Sequence, residues 1–486
     1  MNIMTLKLKY LRLLFLFIGL SFVSCSSDDD LATTTTYQVS ISALPSNGGS
    51  VSPESGEYEE GQVIDITATP VEGWEFKEWQ GDVTGTENTV QLTVDEAKDI
   101  TAIFIEAQPL FYLAENGVTV MAPYAAVGES GVVNGITYTK RTADQITTGN
   151  AETTCTSGIT DMSSLFDGAT AFNRDLSSWD VSSVTNMAGM FFSAKSFNGD
   201  ISHWDTSNVT NMNGMFFGAE IFNGDINSWD VSNVTDMGSM FSRADTFNKD
   251  LNSWDVSNVT NMGNMFGDAD NFNGDVTTWN VGNVTNMRNM FNNSAFNQDI
   301  NNWDVANVTD MVGMFQGATL FNGNIKNWDV SSVTDMSSMF ADATSFNGEI
   351  GNWNVSNVTN MSYMFFGAEN FNQPIGGWIV INVTDMNAMF TGASAFNENI
   401  DGWNVSNVTD MGSMFERASA FNQPLVGWGY QLTNVTDMEY MFSGATTFNQ
   451  NISNWCVPHI DAEPTYFAIG SALTASHMPI WDATCP

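Results

Sequence analysis

The feature that most constrains this chain is a sequence unit of 25 residues, which it repeats twelve times. Residues 259–283 give a regular copy, VTNMGNMFGDADNFNGDVTTWNVGN. Each copy contains one tryptophan, and the spacing is 25 residues except for one interval of 24 and a last interval of 27; the tryptophans are Trp179, Trp204, Trp229, Trp254, Trp279, Trp303, Trp328, Trp353, Trp378, Trp403, Trp428 and Trp455. A repeat this regular predicts a solenoid, in which each unit packs on its neighbours and the core grows along the array.

The composition is strongly acidic and rich in aromatic residues. Lys and Arg total 14 against 55 Asp and Glu, which gives a formal net charge of -41, and 12% of the residues are aromatic. Proteins that bind nucleic acid or anionic lipid need a basic surface, so neither is expected as a partner of this acidic chain. The aromatic content indicates a folded rather than a disordered chain. The charge fits cationic partners, divalent ions or simple solubility.

The N-terminus has the pattern of a secretory signal peptide. Lys7, Lys9 and Arg12 precede an apolar run that is too short to span a membrane, so residues 1–24 are expected to be removed. Residues 22–25 (FVSC), which end at Cys25, resemble a bacterial lipobox. Residues 26–30 (SSDDD) resemble the acidic export signal of surface lipoproteins in Bacteroidetes-type bacteria. The resemblance implies that Cys25 is lipidated and anchors the protein in the bacterial outer membrane.

The lipid would be the only contact with the membrane, with residues 25–36 as a tether and the protein facing the cell exterior. A lipoprotein that faces the periplasm is the alternative.

Residues 37–107 alternate apolar and polar residues in short runs that are separated by Gly, Pro, Asn and Asp. This pattern predicts four or more strands in a small all-β or β-grasp-like domain. The motif G-W-x-F-x-x-W-x-G at residues 73–81 resembles the divergent internalin-type B-repeat domain, which implies a spacer or adhesive module. We expect Trp74 and Trp79 to belong to its core, with a ligand platform as the alternative.

Within each repeat, the run V-T-[DN]-M-x-x-M-F-x-x-A places apolar residues at i, i+3, i+4 and i+7, as in Met237, Met240, Phe241 and Ala244. That spacing predicts a two-turn helix with one buried face, which the preceding Thr would cap. The run I-x-x-W-x-V predicts a strand, and stacked strands would form a parallel sheet. The Asn of each Phe-Asn pair is expected to bond backbone groups of the adjacent repeat as a ladder.

The segment FNGDINSWDVSNVTDMGSMFSRA (residues 222–244) and its copies resemble the BspA-like or DUF285 repeats of bacterial surface proteins, which are divergent relatives of leucine-rich repeats. The resemblance implies an α/β fold for residues 156–457, a right-handed leucine-rich-repeat-like solenoid of about 12 coils, each a short strand plus a short helix. Residues 108–155 and 458–486 would then cap its two ends.

The family implies a non-enzymatic adhesin that binds a host, matrix or neighbouring-cell surface protein. Capture of a polysaccharide or another nutrient is one alternative function, and a passive surface spacer is the other. The only histidines, His203, His459 and His477, offer neither a Ser-His-Asp triad nor a His-rich metal site, so no enzyme is expected.

Two columns of aspartates recur at the repeat spacing. One follows the tryptophan, at Asp180, Asp205, Asp230 and Asp255, and the other lies five residues earlier, at Asp175, Asp200, Asp225 and Asp250. Stacked carboxylates repel each other by about 1 kcal/mol per pair in water, and a bound Ca²⁺ would relieve this repulsion. A solvated acidic stripe without metal is the alternative, and no other cofactor is expected.

Besides Cys25 there are three cysteines. Cys155 and Cys456 lie at opposite ends of the array, too far apart for a bond that needs Cα atoms within about 7 Å. A disulfide between Cys456 and Cys485 would close the C-terminal segment, which leaves Cys155 unpaired.

The repeat is interrupted twice, by one missing residue in 292–295 and by two extra residues in 429–432. Such changes map to loops on one face, often the binding face, although neutral drift explains them equally well.

Overall fold

The computed structural model describes residues 34–107 and 109–481. The predicted signal peptide and the predicted lipidation site Cys25 lie outside these residues, and so does Cys485. The chain divides into two compact units, of which one ends at Pro109 and the other begins at Leu110. In the part of the chain that the structure describes, no helix has the length and apolar character needed to cross a membrane.

The first unit consists of seven strands in two sheets, with no helix among its described residues. Strands β1, β3, β5 and β7 form one sheet in the order β3-β1-β7-β5, and the other has the order β2-β4-β6. Trp79 is fully buried in the core, and its Nε1 donates to the Glu87 carbonyl at 2.9 Å, so Trp79 is not a ligand platform. Trp74 is half-buried and packs against the same core. The strands span Thr36–Leu44 (β1), Gly49–Ser52 (β2), Gly56–Glu59 (β3), Val63–Pro70 (β4), Trp74–Gly81 (β5), Thr89–Thr93 (β6) and Lys98–Glu106 (β7).

The second unit begins with short strands that cover one part of the first repeat. Trp179 donates from its Nε1 to the Ala151 carbonyl at 2.9 Å, and the Val120 amide donates to the Ser178 carbonyl at 2.8 Å. The lead-in segment therefore satisfies the tryptophan side of the array's first unit. Its strands span Tyr112–Leu113 (β8), Val120–Met121 (β9), Ser130–Val133 (β10), Ile136–Lys140 (β11) and Thr154–Cys155 (β12).

The predicted helix in each repeat is wrong. We call each repeat a coil; in the coil of Met237, hydrogen bonds from the Met240 amide to the Met237 carbonyl (3.2 Å) and from the Ala244 amide to the Phe241 carbonyl (3.0 Å) close two successive reverse turns. Ser239 and Arg243, the third residue of each turn, have positive φ angles of 55° and 58°, as type II turns require. Across the described residues the helical segments are four 3-10 helices, at Ala143–Gln145, Ala151–Thr153, Val426–Asn434 and Ala475–His477.

The predicted strand at I-x-x-W-x-V is also wrong, because pairing between coils occurs elsewhere. Single parallel bridges join the Asp or Asn before each first Met, as in Asp236 with Asn261. From there, alternate amides donate to the next coil, for example Ser239 to the Gly263 carbonyl at 2.8 Å. The proposed α/β solenoid of strand plus helix per coil is therefore contradicted, and the chain combines strands with stacked turns.

The physical reason lies in where the backbone hydrogen bonds go. A helix would bond each amide to the carbonyl four residues earlier, but here alternate amides are satisfied by the next coil and the others within turns. The same Met, Met, Phe and Ala can point inward from two successive turns, so their spacing does not distinguish turns from a helix. The small residues between them favour left-handed turns.

Identical side chains stack along the whole array and form one continuous core. Met, Phe and Trp of the repeats are buried, including Met237, Met240 and Phe241, which are 0% exposed. Tryptophan rings of neighbouring coils lie parallel, as in Trp254 and Trp279 with centroids 6.3 Å apart. Burial of the stripe is therefore as predicted, although no helix carries it.

The predicted asparagine ladder is confirmed. The Asn198 amide donates to Asn173 Oδ1 at 3.0 Å, the Asn223 amide donates to Asn198 Oδ1 at 2.9 Å, and later coils repeat the contact. The Thr that recurs two residues before the first Met of each repeat does not cap a helix. Its side chain instead links coils, as where Thr210 Oγ1 donates to the Thr185 carbonyl of the preceding coil at 3.1 Å.

The segment after the last repeat extends the stack by one more turn region. The Tyr440 amide donates to the Thr465 carbonyl at 3.0 Å, and the Gly444 amide donates to the Ile469 carbonyl at 2.8 Å. Tyr466 has a φ angle of 52°, which matches the left-handed turn position of the coils before it.

Candidate binding surface of the array

The aspartate that follows each tryptophan closes a turn. Asp230 Oδ1 accepts from the Ser232 amide at 3.0 Å, and in another coil Asn280 Oδ1 accepts from the Gly282 amide at 3.2 Å. Asp and Asn are interchangeable at this position because both supply the same acceptor oxygen. Hydrogen bonds from the Ser232 side chain and backbone hold the pKa of Asp230 below its ordinary value.

The other predicted metal ligands, apart from Asp250, have the same local role. The remaining acceptors of the first column are Asp180 (Ser182 amide, 3.1 Å), Asp205 (Ser207 amide, 3.2 Å) and Asp255 (Ser257 amide, 3.0 Å). Those of the second column are Asp175 (Ser177 amide, 2.9 Å), Asp200 (Ser202 amide, 3.0 Å), Asp225 (Asn227 amide, 3.2 Å) and Asp250 (Asp275 amide, 2.9 Å). All of these carboxylates except Asp250 close turns in their own coils, Asp250 bonds the next coil, and calcium binding by the two columns stays a prediction.

Residues 34–107 and 109–481 contain no group of three or more His, Cys, Asp or Glu side chains placed to hold a metal ion.

Some of these carboxylates do share a concave surface. Asp225, Asp230 and Asp255 line one groove of about 590 Å³ together with Trp229 and several serines, and we call it the acidic groove. Asp180 and Asp205 line a separate cavity of about 260 Å³ with Glu115 and His203, where the lead-in segment meets the first coils. Both sites can accept hydrogen bonds or attract cationic groups.

Three exposed apolar residues lie beside tryptophans of the C-terminal coils. Ile379 occupies the aspartate position and is 61% exposed. Two coils later Val426 and Tyr430 are 55% and 64% exposed, within the 3-10 helix that the two-residue insertion creates. Gln431 Oε1 accepts from the Val405 amide at 2.9 Å and so fixes this helix against the preceding coil. We call Ile379, Val426 and Tyr430 the exposed apolar residues.

Sequence reasoning flagged the insertion but missed Ile379 as a functional position. The available signal was a single Ile in a column that otherwise holds mostly Asp and Asn. It also missed Tyr363, Tyr440 and Tyr466, which occupy the left-handed turn position with φ angles of 58°, 56° and 52°. There the signal was a bulky residue in a register of Gly, Ser, Asn and Ala.

The cysteines of the second unit differ in state. Cys456 is disulfide-bonded. Because Cys485 lies outside the described residues, the pairing of Cys456 with Cys485 stays a prediction. Cys155 is a free thiol that is fully buried, with its Sγ 3.3 Å from the Val120 carbonyl, and burial raises its pKa.

Two family models match the chain. The model described as "Mycoplasma protein of unknown function, DUF285" matches residues 136–245, 200–295, 292–390 and 373–479, which together exceed half of the chain. The model described as "Divergent InlB B-repeat domain" matches residues 37–108. No curated protein and no solved structure matches. The chain therefore belongs to the DUF285 repeat family and carries a divergent InlB B-repeat domain in its N-terminal region.

Proposed function

We propose that this protein is a non-enzymatic adhesin, a lipid-anchored rod on the cell exterior that binds a protein of a host, a matrix or a neighbouring cell. The observation that carries the proposal is the change along the column after the tryptophans. The interior of the coils is nearly invariant, whereas this column, which holds mostly Asp and Asn, contains the exposed Ile379, and the exposed Val426 and Tyr430 flank Trp428 two coils later. Membership in two repeat families consistent with surface proteins supports the proposed location.

The exposed apolar residues favour a protein partner over a spacer role. Stacking does not require Ile379, because Asn354 and Asn404 occupy its position in the two adjacent coils. Large exposed side chains that packing does not explain are typical of interaction sites, and Tyr is one of the residues enriched where binding energy concentrates. A passive spacer would have no use for Ile379 or Tyr430 at these positions.

The acidic groove would guide the partner rather than hold it. Carboxylates that line an open groove attract a basic surface and raise the rate of association. Because such guidance acts through solvent, it weakens as ionic strength rises. We therefore propose a partner that offers Lys or Arg to the first coils and an apolar surface to the last ones.

Capture of a glycan is the second candidate function. The specific observation in its favour is the set of tyrosines at the left-handed turn position, which lie in a different register of the repeat from the exposed apolar residues. The two functions can therefore be separated by mutation.

The adhesin proposal is tested with the purified full-length protein on arrayed matrix proteins, host-cell proteins and whole cells. The variant Ile379→Asn with Tyr430→Ser removes two exposed apolar residues and supplies Asn, which the neighbouring coils already accommodate. The control is Leu320→Ser, since Leu320 is also exposed (56%) but lies at another position of the repeat.

We expect saturable binding to a protein, at least about tenfold weaker for the double variant and unchanged for the control, where tenfold corresponds to about 1.4 kcal/mol. Absence of protein binding, or equal binding by both variants and the wild type, would overturn the proposal.

A further inference from the structure

Three tyrosines stand where the backbone disfavours them. Every coil places one residue with positive φ two positions after its first Met; Tyr363 and Tyr440 occupy this register, and Tyr466 occupies the equivalent position two residues after Pro464. A bulky side chain in the left-handed region is a genuine outlier, and such outliers concentrate at functional sites. The other coils place only small residues there, namely Ser164, Gly189, Gly214, Ser239, Asn264, Asn289, Gly313, Ser338, Ala388 and Ser413.

Two of these tyrosines form an aromatic pair at the C-terminal end of the array. The rings of Tyr440 and Tyr466 lie 5.2 Å apart between centroids at an angle of 40°. Tyr466 is 54% exposed and Tyr440 is half-buried, so the pair presents ring surface to solvent. Neither phenolic hydroxyl hydrogen-bonds another described residue, and both are free to bind a ligand.

A polar groove of about 290 Å³ begins at the residues that precede the two tyrosines. Glu439 and Thr465 line it, and Thr465 Oγ1 donates to Glu439 Oε1 at 3.0 Å. Asp437, Glu463 and His459 line the same groove. The groove therefore offers carboxylate acceptors and an imidazole, and two of its lining residues, Glu439 and Thr465, directly precede the two tyrosines in the chain.

We propose that the Tyr440–Tyr466 pair and this groove bind an uncharged glycan. Aromatic rings with fixed positions offer a flat apolar surface for the C–H face of a sugar ring, at little cost in side-chain entropy. The hydroxyls of the sugar would donate to Glu439, Glu463 and Asp437, which are acceptors when ionised. This site goes beyond protein adhesion and lies in a different register of the repeat.

Charge selects the class of glycan. Three carboxylates in one groove, on a chain with a net charge of -41, repel sulfated and uronic-acid polysaccharides. Another aromatic pair, Phe192 and Phe217, stacks at 4.4 Å between ring centroids, but the Arg243 guanidinium lies 5.6 Å from the Phe217 ring centre. That pair already has a partner within the protein, whereas no cation among the described residues lies over the rings of the two tyrosines.

The experiment titrates the purified full-length protein with uncharged oligosaccharides (cello-, xylo-, manno- and N-acetylchito-oligosaccharides) and with alginate and heparin fragments as anionic probes. Tyr440→Ser and Tyr466→Ser, singly and together, use the residue that four other coils carry in this register. Because Ser is less strained than Tyr there, these variants are expected to fold at least as well as the wild type. Tyr124→Ser is the control, because Tyr124 is an exposed tyrosine (78%) in the lead-in segment.

We expect at least one uncharged oligosaccharide to bind the wild type and Tyr124→Ser with equal affinity, and to bind each single variant about tenfold more weakly. The double variant should also unfold at a higher temperature. The proposal is overturned by binding of anionic fragments only, by the absence of glycan binding, or by unchanged affinity in the double variant. A failure here leaves the protein-binding test at Ile379 and Tyr430 intact.

Discussion

Replacement of Gly214 by Ala distinguishes stacked turns from helices by the sign of its effect. Gly214 has a φ angle of 59° and lies within the run that the apolar spacing assigned to a helix. In a helix interior, Gly→Ala stabilises by about 1 kcal/mol. In the left-handed region Ala is about 1–2 kcal/mol less favourable than in the right-handed one, an effect that outweighs the smaller entropy of its unfolded state.

The structure isolates this backbone effect from steric clashes. A Cβ on Gly214 would meet its nearest atoms, in Phe192 and Phe217, at 3.7 and 3.9 Å, which is ordinary contact. The Gly214 amide keeps its bond to the Gly238 carbonyl at 2.8 Å, because Ala has the same donor. We therefore expect Gly214→Ala to lower the free energy of unfolding by about 1 kcal/mol.

The assay is urea unfolding of the full-length protein followed by tryptophan fluorescence, with midpoints compared at equal slope. Gly402→Ala is the matched control, since its φ is not positive and a Cβ there has nothing within 4 Å, so its effect should be neutral or slightly stabilising. A higher midpoint for Gly214→Ala than for the wild type would refute the turn structure and restore the helix.

Three further predictions test the core, the turns and the tyrosine register. Trp279→Phe should destabilise by about 2–3 kcal/mol, because it leaves a cavity and deprives the buried Leu251 carbonyl of the indole donor at 2.9 Å; a loss below about 0.5 kcal/mol in urea would contradict this. The pKa of Asp230 is lowered in the folded protein, so its ionised form stabilises the turn at neutral pH, and this stabilisation is lost as the pH falls through that pKa. The free energy of unfolding of Asp230→Asn should therefore depend less on pH in the acid range than that of the wild type. Identical pH profiles of stability would argue against the turn. Ser413→Tyr should place a third ring beside Tyr440 and tighten glycan binding several-fold at a cost of about 1 kcal/mol in stability, and unchanged affinity in the same titration would count against the platform.

The sequence predicted the organisation of the array better than its local geometry. The period, the burial of Met, Phe and Trp and the Phe-Asn ladder follow from which residues recur, and recurrence is visible in one dimension. The backbone conformation does not follow, because Met237, Met240, Phe241 and Ala244 face inward equally well from two type II turns. What decides between them is the bonding of alternate amides to the next coil, a contact between residues 24 apart such as Ser239 and Gly263.

The candidate site was predictable only in part, for a related reason. The aspartate columns were found because they recur, yet recurrence reflects their use as turn acceptors, which Asn280 fills equally well. Residues that serve binding alone need not recur, so a search for repeated patterns passes over Ile379 and Tyr440. The better signal is a residue that departs from its register toward greater size, at a position where the backbone or solvent makes that size unfavourable.

This separation of roles has a consequence for how such a protein changes its partner. In most coils the stacking residues are buried and are satisfied by the coils on either side, whereas the side chains two positions after the first Met and directly after Trp are at least partly exposed; exceptions such as Ala388 and Asp180 are buried. Substitutions at the outward positions therefore cost at most the local strain of one residue, about 1–2 kcal/mol in the left-handed register, and leave the core unchanged. A tyrosine kept there against that cost, as at Tyr363, Tyr440 and Tyr466, is best explained by a ligand that it binds.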